Sequence, residues 1–125
     1  MPKEKILLVD DSQDIIDGMK LFLELKNYEV LSLLNVTDLD QTIREHKPAL
    51  LILDIFISGR DGRTICQRLK NSAYTQHIKI ILSSAAPNAL SDFKNYGADD
   101  ILEKPFGLDE IYSKVERSLK VIPPL

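Results

Sequence analysis

This sequence is short of cysteine, of excess positive charge and of long apolar runs, and each shortage excludes something. Cys66 is its only cysteine, so no internal disulfide can form and a reducing compartment is expected. Its formal net charge is −3, which speaks against a surface that coats nucleic acid, since that needs clustered Lys and Arg. No apolar run approaches the length of a membrane span. The start, Met1-Pro2-Lys3-Glu4-Lys5, leads into an apolar stretch too short for a signal peptide, so a cytoplasmic location is expected. Internal repeats and low-complexity stretches are also missing. What remains is ordinary: 44% hydrophobic and 28% charged residues in a chain of 125. That length suits one domain over residues 1–125, with a core large enough to need no metal or disulfide staple.

Five short apolar runs alternate with helical patterns. Lys5–Val9, Ala49–Leu53 and Ile78–Ser83 are almost continuously apolar, as strands buried on both faces of a parallel sheet are. Glu29–Leu34 and Asp100–Glu103 mix polar with apolar residues and read as edge strands. The spacing predicts a helix over 14–26, with Ile15, Ile16, Met19, Phe22 and Leu23 on one face and Asn27 as a left-handed cap. Further helices are predicted over 37–46, capped by Thr37 or Asp38 and stopped by Pro48, and over 62–71, carrying Ile65, Cys66 and Leu69. The last two are 88–96, with Ala89, Leu90 and Phe93 before Gly97, and 108–121, with Leu108, Ile111, Val115 and Leu119 before Pro123-Pro124. A (βα)5 alternation implies an α/β fold, a doubly wound parallel five-stranded sheet of flavodoxin-like order 2-1-3-4-5. Ligands of such sheets bind beyond the carboxyl ends of the strands, here between strands 1 and 3.

That rim collects chemistry. Asp10 and Asp11 follow strand 1, Asp54 follows strand 3, Ser83 and Ser84 close strand 4, and Lys104-Pro105 follows strand 5. Three close carboxylates raise one another's pKa, and a cation must compensate them. Oxygen ligands on a small rim suit Mg²⁺. Nothing resembles a zinc site, because His46 and His77 fall far from the rim and Cys66 stands alone. A carboxylate beside Mg²⁺ and a lysine can attack a phosphoryl group. Lys104, the Ser84 hydroxyl and the backbone N–H groups after Asp54 would then meet the phosphoryl oxygens.

Three segments carry a resemblance. Ile6-Leu7-Leu8-Val9-Asp10-Asp11-Ser12 resembles the opening of response-regulator receiver domains. Asp54-Ile55-Phe56-Ile57-Ser58-Gly59-Arg60-Asp61-Gly62 resembles their phosphoacceptor loop, and Gly97-Ala98-Asp99-Asp100-Ile101-Leu102-Glu103-Lys104-Pro105-Phe106 their closing motif. The resemblance covers the whole chain. It implies that Asp54 accepts a phosphoryl group from a histidine kinase or a histidine phosphotransfer protein. It implies that Asp11 and Asp54 bind Mg²⁺ with the Phe56 backbone carbonyl, with Asp10 acting through water. Ser84 takes the family's hydroxyl position, chosen over Ser83 by its spacing from Asp54 and the Ala85 that follows, and Lys104 takes the lysine position. A cis Lys104-Pro105 bond is expected. Such a protein is a self-catalysed phosphoacceptor and not a turnover enzyme. It works as a monomer or a phosphorylation-dependent dimer, either as a stand-alone receiver, as a phosphorelay intermediate or as part of a longer protein, with any output domain or effector outside this sequence.

Several positions depart from the family pattern. Ile101 stands where an aromatic residue usually swings inward, and Ser84 replaces the usual threonine. Ser58 stands where proline is common and Arg60 where an apolar residue is common. The stretch from Ser84 to Lys104 is about two residues short. These changes leave the phosphoryl chemistry and put its usual readout across helix 4 and strand 5 in question. They motivate the alternative of a degenerate receiver that binds partners regardless of phosphorylation. A Mg²⁺-dependent phosphohydrolase is disfavoured, because the residues two places after Asp10 and Asp54 are Ser12 and Phe56 and not acids. Beside these stand bland readings: Asp10-Asp11 as solvated loop charges or helix caps, Asp54 as a turn residue, Ser84 as a strand end and Lys104 as a surface lysine. The first holds for the acidic pair taken alone, but the acids and the lysine together on one rim favour the functional reading. Cys66 reads as a small core residue, Ile101 as packing on helix 4 or 5, and Phe93 and Tyr96 as the core and rim of helix 4. Leu21 and Leu25 form a second apolar stripe on helix 1, read as packing against helix 5 in preference to docking a kinase helix.

Overall fold

The computed structural model describes residues 3–120. Five parallel strands, β1 (Lys5–Val9), β2 (Glu29–Leu33), β3 (Leu50–Asp54), β4 (Lys79–Ser84) and β5 (Asp100–Glu103), form one sheet in the order β2-β1-β3-β4-β5. The predicted topology is therefore the observed one. The register places Val9 beside Leu53 and Asp54 beside Ser83, which brings the ends of β1, β3 and β4 to a common rim.

Alternation along each strand divides the core into two layers. Leu7, Val9, Leu51, Leu53, Ile80 and Leu82 point to one face. There they meet α2 (Leu39–His46) through Leu39 and Ile43, and α3 (Gly62–Lys70) through Ile65, Cys66 and Leu69. Ile6, Leu8, Leu50, Ile52 and Ile81 point to the other face. They meet α1 (Gln13–Leu25) through Met19 and Leu23, and α5 (Leu108–Leu119) through Ile111 and Val115. Each fully buried aliphatic chain contributes roughly 1.5–3 kcal/mol, so these layers dominate the stability that holds the rim rigid.

The helix ends follow local chemistry. Ser12 caps α1 by accepting a hydrogen bond from the Ile15 N–H, and Asn27 closes the helix at φ 72°. Asp38 takes the cap position of α2 without a side-chain bond, and Lys47 in left-handed conformation ends it. Asp61 caps α3 by accepting from the Arg63 N–H at 2.9 Å.

Two expectations are corrected. The helix predicted over 88–96 is broken: a single α turn, α4 (Pro87–Leu90), is followed by a 3₁₀ turn at Phe93–Tyr96. Ala89 and Leu90 still reach the core, but Ser91 and Asp92 interrupt the helix, and Gly97 at φ 83° ends it. Leu21 and Leu25 do not pack against α5; they are 64% and 77% exposed. The α1–α5 contact runs instead through Phe22, whose ring meets Tyr112 edge-on at 6.4 Å, with Lys26 lying 4.6 Å over the Tyr112 ring. Pro123-Pro124 and Val121, expected at the end of the last helix, lie outside the described residues.

Candidate functional site

Each acid at the rim ends a strand or starts the loop after it. Asp10 and Asp54 are buried and Asp11 is exposed. Together they offer carboxylate oxygens that all lie within 4.8 Å of one another. Lys104, carried in by β5, donates from Nζ to Asp10 Oδ2 at 2.7 Å and to Asp54 Oδ2 at 3.3 Å. The Lys104-Pro105 bond is cis, as expected. The backbone N–H of Lys104 donates to the Ser84 carbonyl at 2.9 Å, which ties the lysine to the end of β4.

Every carboxylate of the cluster also accepts one backbone N–H. Ser12 N donates to Asp10 Oδ1 at 2.9 Å, Phe56 N to Asp54 Oδ1 at 3.3 Å and Ser58 N to Asp11 Oδ2 at 3.3 Å. The last of these was not read from the sequence. Phe56–Ile57 and Arg60–Asp61 form a small antiparallel hairpin, with Ser58 at φ 48° and Gly59 at φ 77° as its two turn residues. This is the two-residue turn whose twist matches the flanking strands. Serine in place of proline at 58 leaves an N–H free to face Asp11, and proline could not adopt that φ. The substitution itself was the available signal.

Electrostatics at the rim is a contest. Burial pushes the Asp54 carboxyl above its ordinary value; the Lys104 charge pulls it down, Asp10 pushes it up, and the Phe56 N–H pulls it down. The net shift is upward. For Lys104 burial works downward, but the hydrogen bond to Asp10 and the charges of Asp54 and Asp10 outweigh it, so its pKa is raised. Three carboxylates against one lysine leave an excess of negative charge on hard oxygen donors. That donor set fits a divalent cation such as Mg²⁺.

Ser84 is buried, and its Oγ accepts the Ala86 N–H at 3.0 Å. Ser83, also buried, is the direct neighbour of Asp54 in the sheet. Phe56 is 56% exposed beside the acids. Ile101 is half-buried in the same cluster as Ala89, Leu90 and Phe93, so it packs towards α4. His46 ends α2 and His77 precedes β4, both at the end of the sheet opposite the rim. Cys66 is fully buried in the core.

Behind the acids, Gly62 fits where no side chain could. An added Cβ would run into the Asp54 carbonyl oxygen and lie 3.0 Å from Ile55 Cα. The Gly62 N–H donates to the Ile55 carbonyl at 2.6 Å. The first turn of α3 is thereby pressed against the backbone of residue 54. Among the described residues no helix is long and apolar enough to cross a membrane.

Comparison with known proteins gives one answer. The chain is 36% identical over 93% of its length to the nisin biosynthesis regulatory protein NisR of Lactococcus lactis, and covers 50% of that protein. It is 30% identical over 93% of its length to RpaA, a DNA-binding dual master transcriptional regulator of Synechocystis, and covers 49% of it. The chain thus spans about half the length of these curated relatives. Among solved structures, a two-component response regulator from Clostridium difficile superposes with a TM-score of 0.84 at 30% identity, over 94% of this chain and 96% of that one. With residues 6–116 matching the model of the response regulator receiver domain, the chain belongs to that family, the receivers of two-component systems.

Proposed function

We propose that Asp54 accepts a phosphoryl group from the phosphohistidine of a histidine kinase or a histidine phosphotransfer protein. In the transfer an Asp54 carboxylate oxygen forms a bond to phosphorus. The phosphorus–nitrogen bond of the donor breaks, and its electron pair leaves with the imidazole, which takes up a proton. The observation that carries this reading is the position of Asp54: buried at a strand end, 3.3 Å from Lys104 and clustered with Asp10 and Asp11.

The chain's own groups each take a part. Asp11 and Asp54, with the backbone carbonyl of Phe56 and with Asp10 through water, would hold one Mg²⁺. The bound cation supplies neutralisation of the phosphoryl oxygens. Lys104 contributes a second positive charge, already directed at Asp54. The Phe56 N–H, now bonded to Asp54 Oδ1, can turn to a phosphoryl oxygen, and the Ser84 hydroxyl can donate another hydrogen bond. Burial of Asp54 limits the water that would hydrolyse the acyl phosphate. The protein acts as a self-catalysed phosphoacceptor and not as a turnover enzyme. It works in the cytoplasm as a monomer or a phosphorylation-dependent dimer, and the single receiver domain of residues 1–125 controls an output domain or effector outside this sequence. RpaA, named as a DNA-binding regulator, supports a transcriptional output.

Incubation with acetyl phosphate and Mg²⁺ should add one phosphoryl group by intact mass, and Asp54→Asn should remove the adduct. An unchanged adduct level in that variant overturns the assignment. The second reading, a receiver that binds partners regardless of phosphorylation, is favoured by Ile101 and by the broken helix between β4 and β5. It predicts partner affinity that is the same with and without a phosphoryl mimic.

A further inference from the structure

The usual aromatic reporter on β5 is absent here, because Ile101 has neither a ring to swing nor a polar tip. A second connection leaves the acid cluster through α3. It starts at Asp54, whose carbonyl oxygen is in close contact with Gly62 and whose neighbour Ile55 accepts the Gly62 N–H at 2.6 Å. No slack exists at this contact, so a shift of the turn after Asp54 moves the first residues of α3 with it. Asp61, the cap of that helix, holds Arg63 in a two-point fork: Arg63 Nε donates to Oδ1 at 3.1 Å and NH2 to Oδ2 at 3.0 Å. The guanidinium in turn lies 5.6 Å from the centre of the Tyr96 ring. Such a stack is a favourable cation–π contact. Tyr96 is the last residue of the 3₁₀ turn Phe93–Tyr96.

That turn is suited to move. It is a short 3₁₀ piece beside a single α turn, so few of its backbone groups are held in a regular helical ladder. Short 3₁₀ stretches and weakly held segments are where proteins open and rearrange. Phe93 packs on the same core cluster as Ile65 and Leu69 of α3. The turn is therefore seated on the helix that Asp54 presses against.

We propose that Arg63 is a positioning residue that relays the state of Asp54 to the Phe93–Tyr96 turn, from α3 in place of β5. The relay rests on Asp54 being the phosphoacceptor. A phosphoryl group at Asp54 draws the Phe56 N–H away from its present bond to Asp54 Oδ1. The turn after Asp54 shifts, Gly62 and Asp61 follow, and the Asp61–Arg63 fork carries the guanidinium and the ring stacked on it. The phosphoryl group acts on the two arrangements differently because only the shifted turn offers it that N–H.

The test uses the full chain, beryllofluoride with Mg²⁺ as the mimic, and amide shifts read by nuclear magnetic resonance. In the wild type the mimic should shift Phe56 and also Lys94 to Gly97. Tyr96→Phe keeps the ring and should behave as the wild type. Tyr96→Leu and Arg63→Gln should lose about threefold or more of the shift at residues 94–97 while keeping that at Phe56. Arg63→Gln retains the backbone N–H that Asp61 caps, so α3 should remain intact. Full shifts at 94–97 in Tyr96→Leu and Arg63→Gln would overturn the relay alone, as would a wild type that shifts at Phe56 but not at 94–97. No shift at Phe56 in the wild type would overturn the phosphoacceptor reading and the relay with it.

Discussion

Replacing Asp54 by asparagine should make the protein more stable at neutral pH, although it removes the proposed phosphoacceptor. The carboxylate oxygens of Asp10, Asp11 and Asp54 lie within 4.8 Å of one another. At an effective dielectric near 20, two unit charges at that separation repel by about 3.5 kcal/mol. Asp54 faces two such neighbours. Against them stands one Lys104, 3.3 Å away, whose attraction on the same scale is about 5 kcal/mol. The balance is a net opposition on the order of 2 kcal/mol, and burial adds to it with the same sign. One hydrogen bond from the Phe56 N–H offsets part, and asparagine can keep that bond through its own carbonyl oxygen. The expected gain for Asp54→Asn is about 1–2 kcal/mol at pH 7, read as a higher urea midpoint at unchanged slope. The direction of the Asp54 shift fixes the pH dependence. Its folded-state pKa lies above the ordinary 3.8, so the folded state holds its proton more tightly than the unfolded state. Stability from this group is therefore lost as pH rises from 3.8 through the raised folded value, and the advantage of Asp54→Asn should shrink as pH falls through that window. Saturating Mg²⁺ should stabilise the wild type more than the variant, since a cation held by the proposed ligands would bind the folded state and lose one of them in the variant. An Asp54→Asn variant that is equally stable or less stable at pH 7 without Mg²⁺ would refute this account of the cluster.

Three further outcomes are expected. Gly62→Ala should cost about 1–3 kcal/mol by urea denaturation, because its Cβ meets backbone that cannot yield, and a loss below about 0.5 kcal/mol would show that the α3 contact has slack after all. Phosphorylated Asp54 should lose its phosphoryl group slowly in the absence of a phosphatase, since neither Phe56 nor Ala86, two residues beyond Asp54 and Ser84, has a polar side chain to position a water; rapid decay followed by intact mass would contradict this. Cys66 is fully buried, and burial pushes its thiol up to about 12, so a thiol reagent at pH 8 should label it only as the protein opens, with immediate labelling of the folded chain as the adverse result.

How much of this could be read without coordinates varies from element to element. Lys5–Val9 and the apolar runs before Asp54 and Ser84 announced themselves because a parallel strand buried on both faces must be apolar throughout. Their alternation with helices fixed the topology, and the topology placed Asp10, Asp11, Asp54 and Lys104 on one rim. Edge polarity at Glu29–Leu33 and Asp100–Glu103 was legible for the same reason. Helix periodicity was a weaker guide. It placed the buried face of α1 correctly but assigned Leu21 and Leu25 to a contact that Phe22 and Tyr112 make instead, because periodicity gives an angle around a helix and not the position of its neighbour. It also joined Pro87–Leu90 to Phe93–Tyr96, whereas the chain breaks at Ser91 and Asp92 into an α turn and a 3₁₀ turn.

The sequence by itself determined which residues could bear charge at the rim, since strand ends are set by local patterns of burial and polarity. Tertiary structure alone decided what those residues touch. The Ser58 N–H reaches Asp11 across 47 positions, Gly62 closes on the Asp54 carbonyl, and Arg63 finds the Tyr96 ring. Each of these contacts depends on how two separately folded segments approach in space, and local preference along the chain carries no record of that approach.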